Sequence, residues 1–166
     1  MSTPGLRYTG IDVLETLEGA TNYNALLVDL ILESSQGRTR MLDFGAGTGT
    51  FAKLLRTKGI DVVCIEPDMH LAERLIRDGF LTFSDLNDVP NGSFEFILTL
   101  NVLEHVEDDW TSFRLLASKL AKGGRLLVYV PAFQICGRLW RKAQTLLPLS
   151  SSGHGAIGPF GWARCL

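Results

Sequence analysis

Short apolar runs in this chain are separated by segments of helical spacing, and the first run empties into a loop rich in glycine. That alternation predicts a doubly wound α/β fold, a parallel sheet covered by helices on both faces. A helix is expected over 21–36, where Leu26, Leu27, Leu30 and Ile31 recur at helical spacing before Gly37. Strands are expected over 41–44, 62–65, 80–83, 94–100 and 126–130, five in βαβ order. Phe51, Leu54 and Leu55 mark one face of the helix after the first strand. Asp68 is placed to cap the next helix, whose Leu71, Leu75 and Ile76 are expected to face inward before Gly79. Pro90-Asn91-Gly92-Ser93 reads as a turn, and Lys122-Gly123-Gly124 as a tight turn into the fifth strand.

Asp43-Phe44-Gly45-Ala46-Gly47-Thr48-Gly49 stands where the first strand meets the first crossover helix. Glycines there let the chain turn sharply and let a ligand approach the backbone, at the sheet edge where such folds bind ligands. Glu66 follows Gly45 by 21 residues, at the end of the second strand, the place for a carboxylate that accepts both hydroxyls of a ribose. A dinucleotide fingerprint, G-x-G-x-x-G, requires glycine at position 50, where this chain has Thr50. The pattern is instead G-x-G-x-G behind an acid, Asp43. An adenosine with a zwitterionic amino-acid tail suits it better than a pyrophosphate, because Asp43 can organise a site for an ammonium group.

With these residues in view, the stretch from about Arg40 to Pro131 resembles the class I S-adenosylmethionine-dependent methyltransferases of the small-molecule type. The matching segments are LDFGAGTGTFAKLL, VVCIEPD, FSDLNDVPNGSFEFILTLNVLEHV and AKGGRLLVYVP, four in order over roughly 90 residues. The resemblance implies S-adenosyl-L-methionine as cofactor. It implies that Gly45, Ala46 and Gly47 line the methionine part while Asp43 supports its amino group. Glu66 is expected to hold the ribose, with Pro67 and Asp68 beside it. Asp85 is expected to accept from the adenine amino group, the Leu86 backbone to donate to the ring, and Asn101 to flank the methionine end. Tyr23 and Asn24 resemble a segment that lids the cofactor, and a plain helix face is the alternative.

Several of these residues have a purely structural reading as well. Asp43 alone could be a turn residue, Asp85 a cap or turn former, and Asn101 a cap for the following helix. Glu66 is the hardest to explain as structure. Methyl transfer is an in-line displacement by a nucleophile on the acceptor, so no covalent protein nucleophile is required, and a base only where the acceptor must lose a proton. His105 is the one candidate base, and a surface histidine beside Glu107, Asp108 and Asp109 is the other reading. Adjacent Glu104 and His105 point in different directions on a helix, so no metal site is expected.

Charge is divided unevenly along the chain. The first 109 residues hold all 18 acidic and eight basic residues, a formal −10, and the rest hold eight basic residues and no acid, +8. Leu-Asn-Val-Leu-Glu follows the fourth strand in place of the Asn/Asp-Pro-Pro-aromatic motif of enzymes methylating nucleic-acid amines. Together these disfavour a nucleic-acid substrate, and a small-molecule or lipid-like acceptor is the expectation. Three cysteines with no C-x-x-C pair, and no basic-then-apolar leader, fit reduced thiols and a cytoplasmic location.

Three regions are expected: a helical segment over 1–37 above the cofactor site, a Rossmann-like core over 38–147, and an irregular tail over 148–166. Residues 136–147 suggest a basic amphipathic helix with Arg138, Trp140, Arg141 and Lys142. Contact of 138–147 with anionic lipid is one expectation, and packing on the sheet with solvated charges is the other. The family's last two strands find no counterpart in 132–166, so the core reads as truncated after the fifth strand, with an open sheet edge. Two other functions stay open at this stage: a non-catalytic module binding S-adenosylmethionine or S-adenosylhomocysteine, and a nucleotide-dependent oxidoreductase, which Thr50 disfavours.

Overall fold

A computed structural model describes residues 20–106, 108–130, 156–157 and 161–162. Five strands form one parallel sheet: β1 (Arg40–Phe44), β2 (Asp61–Ile65), β3 (Leu81–Phe83), β4 (Phe94–Leu100) and β5 (Leu120–Tyr129), in the order β3-β2-β1-β4-β5. This is the expected doubly wound arrangement. Winding reverses between β1 and β4, and the crevice at the carboxyl ends of those strands is where such sheets bind ligands.

Side chains alternate across the sheet with the period of two that strands impose. Met41, Cys64, Phe96 and Leu98 face one core, completed by Leu27 and Ile31 of α1 (Thr21–Ser35), Leu55 of α2 (Thr50–Thr57) and Leu75 of α3 (Met69–Arg77). Leu42, Val63, Ile65 and Ile97 face the other, under Leu116 of α4 (Asp109–Lys119). Strands buried on both faces must be apolar throughout, which is why they read as runs. Asp68 caps α3 as expected, its Oδ1 accepting from the N–H groups of His70 at 2.9 Å and Leu71 at 3.1 Å.

Some faces differ from expectation. Leu26 is 61% and Ile76 57% exposed, so the apolar stripes of α1 and α3 are narrower than their sequences suggested. The fifth strand starts earlier than expected. Leu120 pairs with Phe94 and Arg125 with Phe96, so Ala121–Gly124 form a bulge within β5 rather than a turn before it. The bulge is tied to the end of α1: Arg38 Nη2 donates to the Gly123 carbonyl at 3.1 Å, and Arg125 Nη1 to the Ser34 carbonyl at 3.1 Å.

The tail is not wholly irregular. Within it β6 (Ala156–Ile157) pairs antiparallel with β7 (Gly161–Trp162), and β7 lies beside β5. Two-residue strands are too short to show alternation. The expected helix over 136–147, with its basic face at 138–147, lies outside the described residues, as does most of the region before α1. Among the described residues no helix is long and apolar enough to cross a membrane, and no group of three or more acidic, His or Cys side chains could hold a metal.

Candidate functional site at the carboxyl edge

The loop after β1 is folded onto the end of β2. Gly45 and Ala46 donate their N–H groups to the Ile65 carbonyl at 2.9 and 3.1 Å, and Gly47 donates to Glu66 Oε2 at 2.7 Å. Gly45 needs its lack of a side chain twice over. Its φ is +79°, and a Cβ would lie 2.4 Å from Val102 Cγ2. Gly49, also at φ +79°, begins α2, and a Cβ there would meet Leu75 Cδ2 at 2.6 Å.

Glu66 is only 6% exposed, and both of its oxygens are engaged: Oε2 by Gly47, Oε1 by the Asp68 N–H at 2.9 Å. Burial pushes its carboxyl above the usual range, while the two backbone donors pull it back. Glu66 thus has a structural role that its sequence position did not signal, tying the glycine loop to β2. A carboxylate oxygen can accept more than one bond, so acceptor capacity remains for a diol.

Asp43 is 3% exposed, and burial followed by the neighbouring Glu66 charge raises its carboxyl to about 7. Neither carboxylate pairs with a cation among the described residues. Two desolvated acids beside a glycine loop fit a ligand that brings hydroxyls and positive charge, and S-adenosyl-L-methionine carries both.

The other expected residues sit along the same edge or close to it. Pro67 is exposed and Asp68 buried, directly after Glu66. Asp85 Oδ1 accepts from both the N–H of Asn87 at 2.8 Å and its Nδ2 at 2.9 Å, capping the single 3-10 turn Leu86–Asp88. The turn-forming reading of Asp85 therefore holds, and its Oδ2 lies outside those bonds. Leu86 is buried.

Asn101, just past β4, takes a left-handed φ of 55°, with its N–H held by the Tyr129 carbonyl at 2.8 Å. Its Nδ2 donates to Tyr23 Oη at 3.4 Å, and the Tyr23 and Tyr129 rings meet edge to face at 6.5 Å. Burial and a hydrogen bond to Tyr23 raise the Tyr129 phenol. Tyr129 was not singled out from the sequence, where it is one residue of an apolar strand. His105 is exposed in the 3-10 turn Leu103–His105. A separate cleft of about 530 Å³ lies between α1 and α2, lined by Asn24 of the expected lid, Val28, Thr50 and Lys53 among others, and contains none of the residues expected to contact the cofactor at the sheet edge.

Residues 14–155 match the family model of a methyltransferase domain. An uncharacterized methyltransferase of Staphylococcus carnosus (strain TM300) is 28% identical over 118 residues, covering 68% of this chain and 56% of the relative. The chain thus spans little more than half that relative's length. The crystal structure of the PH0226 protein from Pyrococcus horikoshii OT3 superposes with a TM-score of 0.62 at 17% identity, covering 74% of this chain and 63% of that one. Phosphoethanolamine N-methyltransferase 2 of Haemonchus contortus, solved in complex with S-adenosyl-L-methionine, gives 0.52 at 21% identity, over 64% of this chain and 27% of its own. At these identities the two structures are likenesses of fold.

Proposed function

The chain belongs to the methyltransferase-domain family, and on that premise we propose that it binds S-adenosyl-L-methionine and transfers its methyl group to a small-molecule or lipid-like acceptor. The observation that carries this is the glycine loop bonded to a buried Glu66, with Asp43 buried beneath it and no cation against either acid among the described residues. In this reading Asp43, Gly45, Ala46 and Gly47 receive the amino-acid end, with Asn101 flanking it. Glu66 accepts from the ribose, beside Pro67 and Asp68, while Asp85 and Leu86 take the adenine.

The bound cofactor supplies an activated methyl group on a sulfonium. The protein's part is alignment and exclusion of water. Glu66 is suited to the first because two backbone donors fix its carboxylate before any ligand arrives. Asn101 is held at both its backbone and its side chain, by Tyr129 and Tyr23 respectively. His105 is exposed and so can exchange protons with solvent. It is the base of this reading where the acceptor has to be deprotonated.

Calorimetric titration with S-adenosylmethionine, S-adenosylhomocysteine and NAD, beside a Glu66→Ala variant, tests the cofactor assignment. Micromolar binding of the adenosyl ligands, absent for NAD and weakened at least tenfold in the variant, is the expected result. That loss corresponds to about 1.4 kcal/mol. A folded chain that ignores both adenosyl ligands would overturn the proposal. Methyl transfer to a panel of small and lipid-like acceptors then separates an enzyme from a module that only binds.

A further inference from the structure

Asp43 ends up in an unusual setting for an acid. On β1 it lies in register with Cys64 of β2 on one side and Leu98 of β4 on the other. The Cys64 thiol is pushed up by burial and then by the Asp43 and Glu66 charges, so it stays a neutral thiol. Glu66 and Asp68 add negative charge from the end of β2. The two cations of α2, Lys53 and Arg56, are engaged elsewhere. Lys53 Nζ pairs with Asp78 at 2.8 Å and donates to the Thr48 carbonyl at 3.0 Å. Arg56 donates to the Asp78 carbonyl at 2.7 Å and lies over the Phe80 ring at 4.2 Å.

Two carboxylates removed from water, with no cation against them among the described residues, cannot both stay ionised cheaply. The less costly state of the ligand-free site keeps a proton on one of them, the Asp43 carboxyl, since both Glu66 oxygens already accept from backbone N–H groups. A ligand that brings its own positive charge removes the reason for that proton. We infer that the buried Asp43–Glu66 pair is a charge filter in which a ligand's ammonium group replaces a proton, so that the site favours adenosyl ligands carrying an amino-acid tail over those without one. The inference rests on the proposed cofactor site and adds to it the basis of its selectivity. The proton leaves the Asp43 carboxyl for the solvent, the ammonium keeps its own three, and no covalent bond changes.

The test is calorimetry on the full chain with two probes, S-adenosylhomocysteine, which has the tail, and 5′-methylthioadenosine, which does not. Titrations at pH 6 in buffers of different ionisation enthalpy count the protons released. The count for S-adenosylhomocysteine should be close to one and that for methylthioadenosine close to zero. Between pH 8 and 5.5 the affinity for S-adenosylhomocysteine should fall as pH drops, approaching tenfold per unit below pH 6. Asp43→Asn should abolish that slope.

A proton count near zero for S-adenosylhomocysteine, or equal counts for the two probes, overturns the inference and leaves the cofactor site standing. A slope that persists in Asp43→Asn also overturns it, because a group other than Asp43 then carries the pH dependence. Should Asp43→Asn fail to fold, the proton count on the unmodified chain decides. No binding of S-adenosylhomocysteine by a folded chain at any pH overturns the inference together with the site on which it rests.

Discussion

Gly47 and Glu66, 19 residues apart, are joined by a 2.7 Å bond from the backbone N–H of one to the carboxylate of the other. The acid at the end of β2 therefore builds the loop that it serves. Glu66→Gln is consequently a harsher change than its size suggests. One of the two backbone donors, Gly47 or Asp68, must then face an amide N–H₂ instead of an oxygen. The variant should lose about 1–3 kcal/mol of stability and bind S-adenosylhomocysteine at least tenfold more weakly. Urea unfolding and calorimetry measure the two effects separately.

Gly45→Ala should be among the costliest single-methyl additions in the chain. The left-handed φ costs about 1–2 kcal/mol for a residue with a Cβ, and displacing Val102 costs about 1–3 more. Only the second cost depends on the neighbour. The double variant Gly45→Ala/Val102→Ala should therefore be more stable than the two single losses added together, by about 1 kcal/mol. Strict additivity in urea unfolding would remove Val102 as the cause.

Lys119 is buried, and its ammonium donates to the Val89 carbonyl at 2.7 Å and to Asn91 Oδ1 at 2.8 Å. It pins the turn before β4 from the far end of α4. Lys119→Met keeps the length and removes the donor, so that the Val89 carbonyl loses its buried ammonium partner while Asn91 Oδ1 keeps only the Ser118 hydroxyl at 3.2 Å. A loss of about 2–3 kcal/mol is expected, with little change in cofactor affinity, because the turn lies at the opposite edge from the glycine loop. An unchanged urea midpoint would contradict this.

The ligand-free chain should lose stability as pH rises from about 4 to 7. Burial raises the Asp43 carboxyl from 3.8 to about 7, so the folded state holds a proton there that the unfolded state has already released. Stability falls wherever the folded state binds more protons, by up to about 1.4 kcal/mol per pH unit for one such group. Glu66, also raised by burial, acts in the same direction. Asp43→Asn should flatten the profile and be more stable than the unmodified chain at pH 8. Thermal melts at fixed ionic strength, from pH 4.5 to 8, would show a rise in place of a fall if the assignment is wrong.

The parts of this fold that were legible before any coordinates are those where local chemistry and position coincide. Strands buried on both faces must be apolar, so β1, β2 and β4 could be read off as runs. Asp68 stands directly before a helical pattern, and its capping bonds follow from that position alone. The glycine loop and Glu66 were found by spacing, since a loop at the end of one strand must meet the end of its neighbour.

What escaped depends on partners distant in sequence. Leu26 and Ile76 look like core residues on a helical wheel, yet their exposure is set by how each helix rolls on the sheet. Lys119 reads as an ordinary surface lysine until Val89 and Asn91, about 30 residues earlier, are brought against it. The β5 bulge hides in a Gly-Gly pair that equally suits a turn. Tyr129 joined Asn101 and Tyr23 only once α1, β4 and β5 were assembled. The structural bond of Glu66 to Gly47 was missed because an acid at a ligand edge already had a sufficient explanation.

The order of the sheet also bears on how this molecule behaves in a crowd. One of the two outer strands of the five-stranded sheet is β3, only three residues long, with Leu81 56% exposed. A neighbouring chain that tried to extend the sheet there would find three residues to register against and little ladder to hold it. Brevity at that border limits association through β3, a form of protection that needs neither a charged guard residue nor a proline.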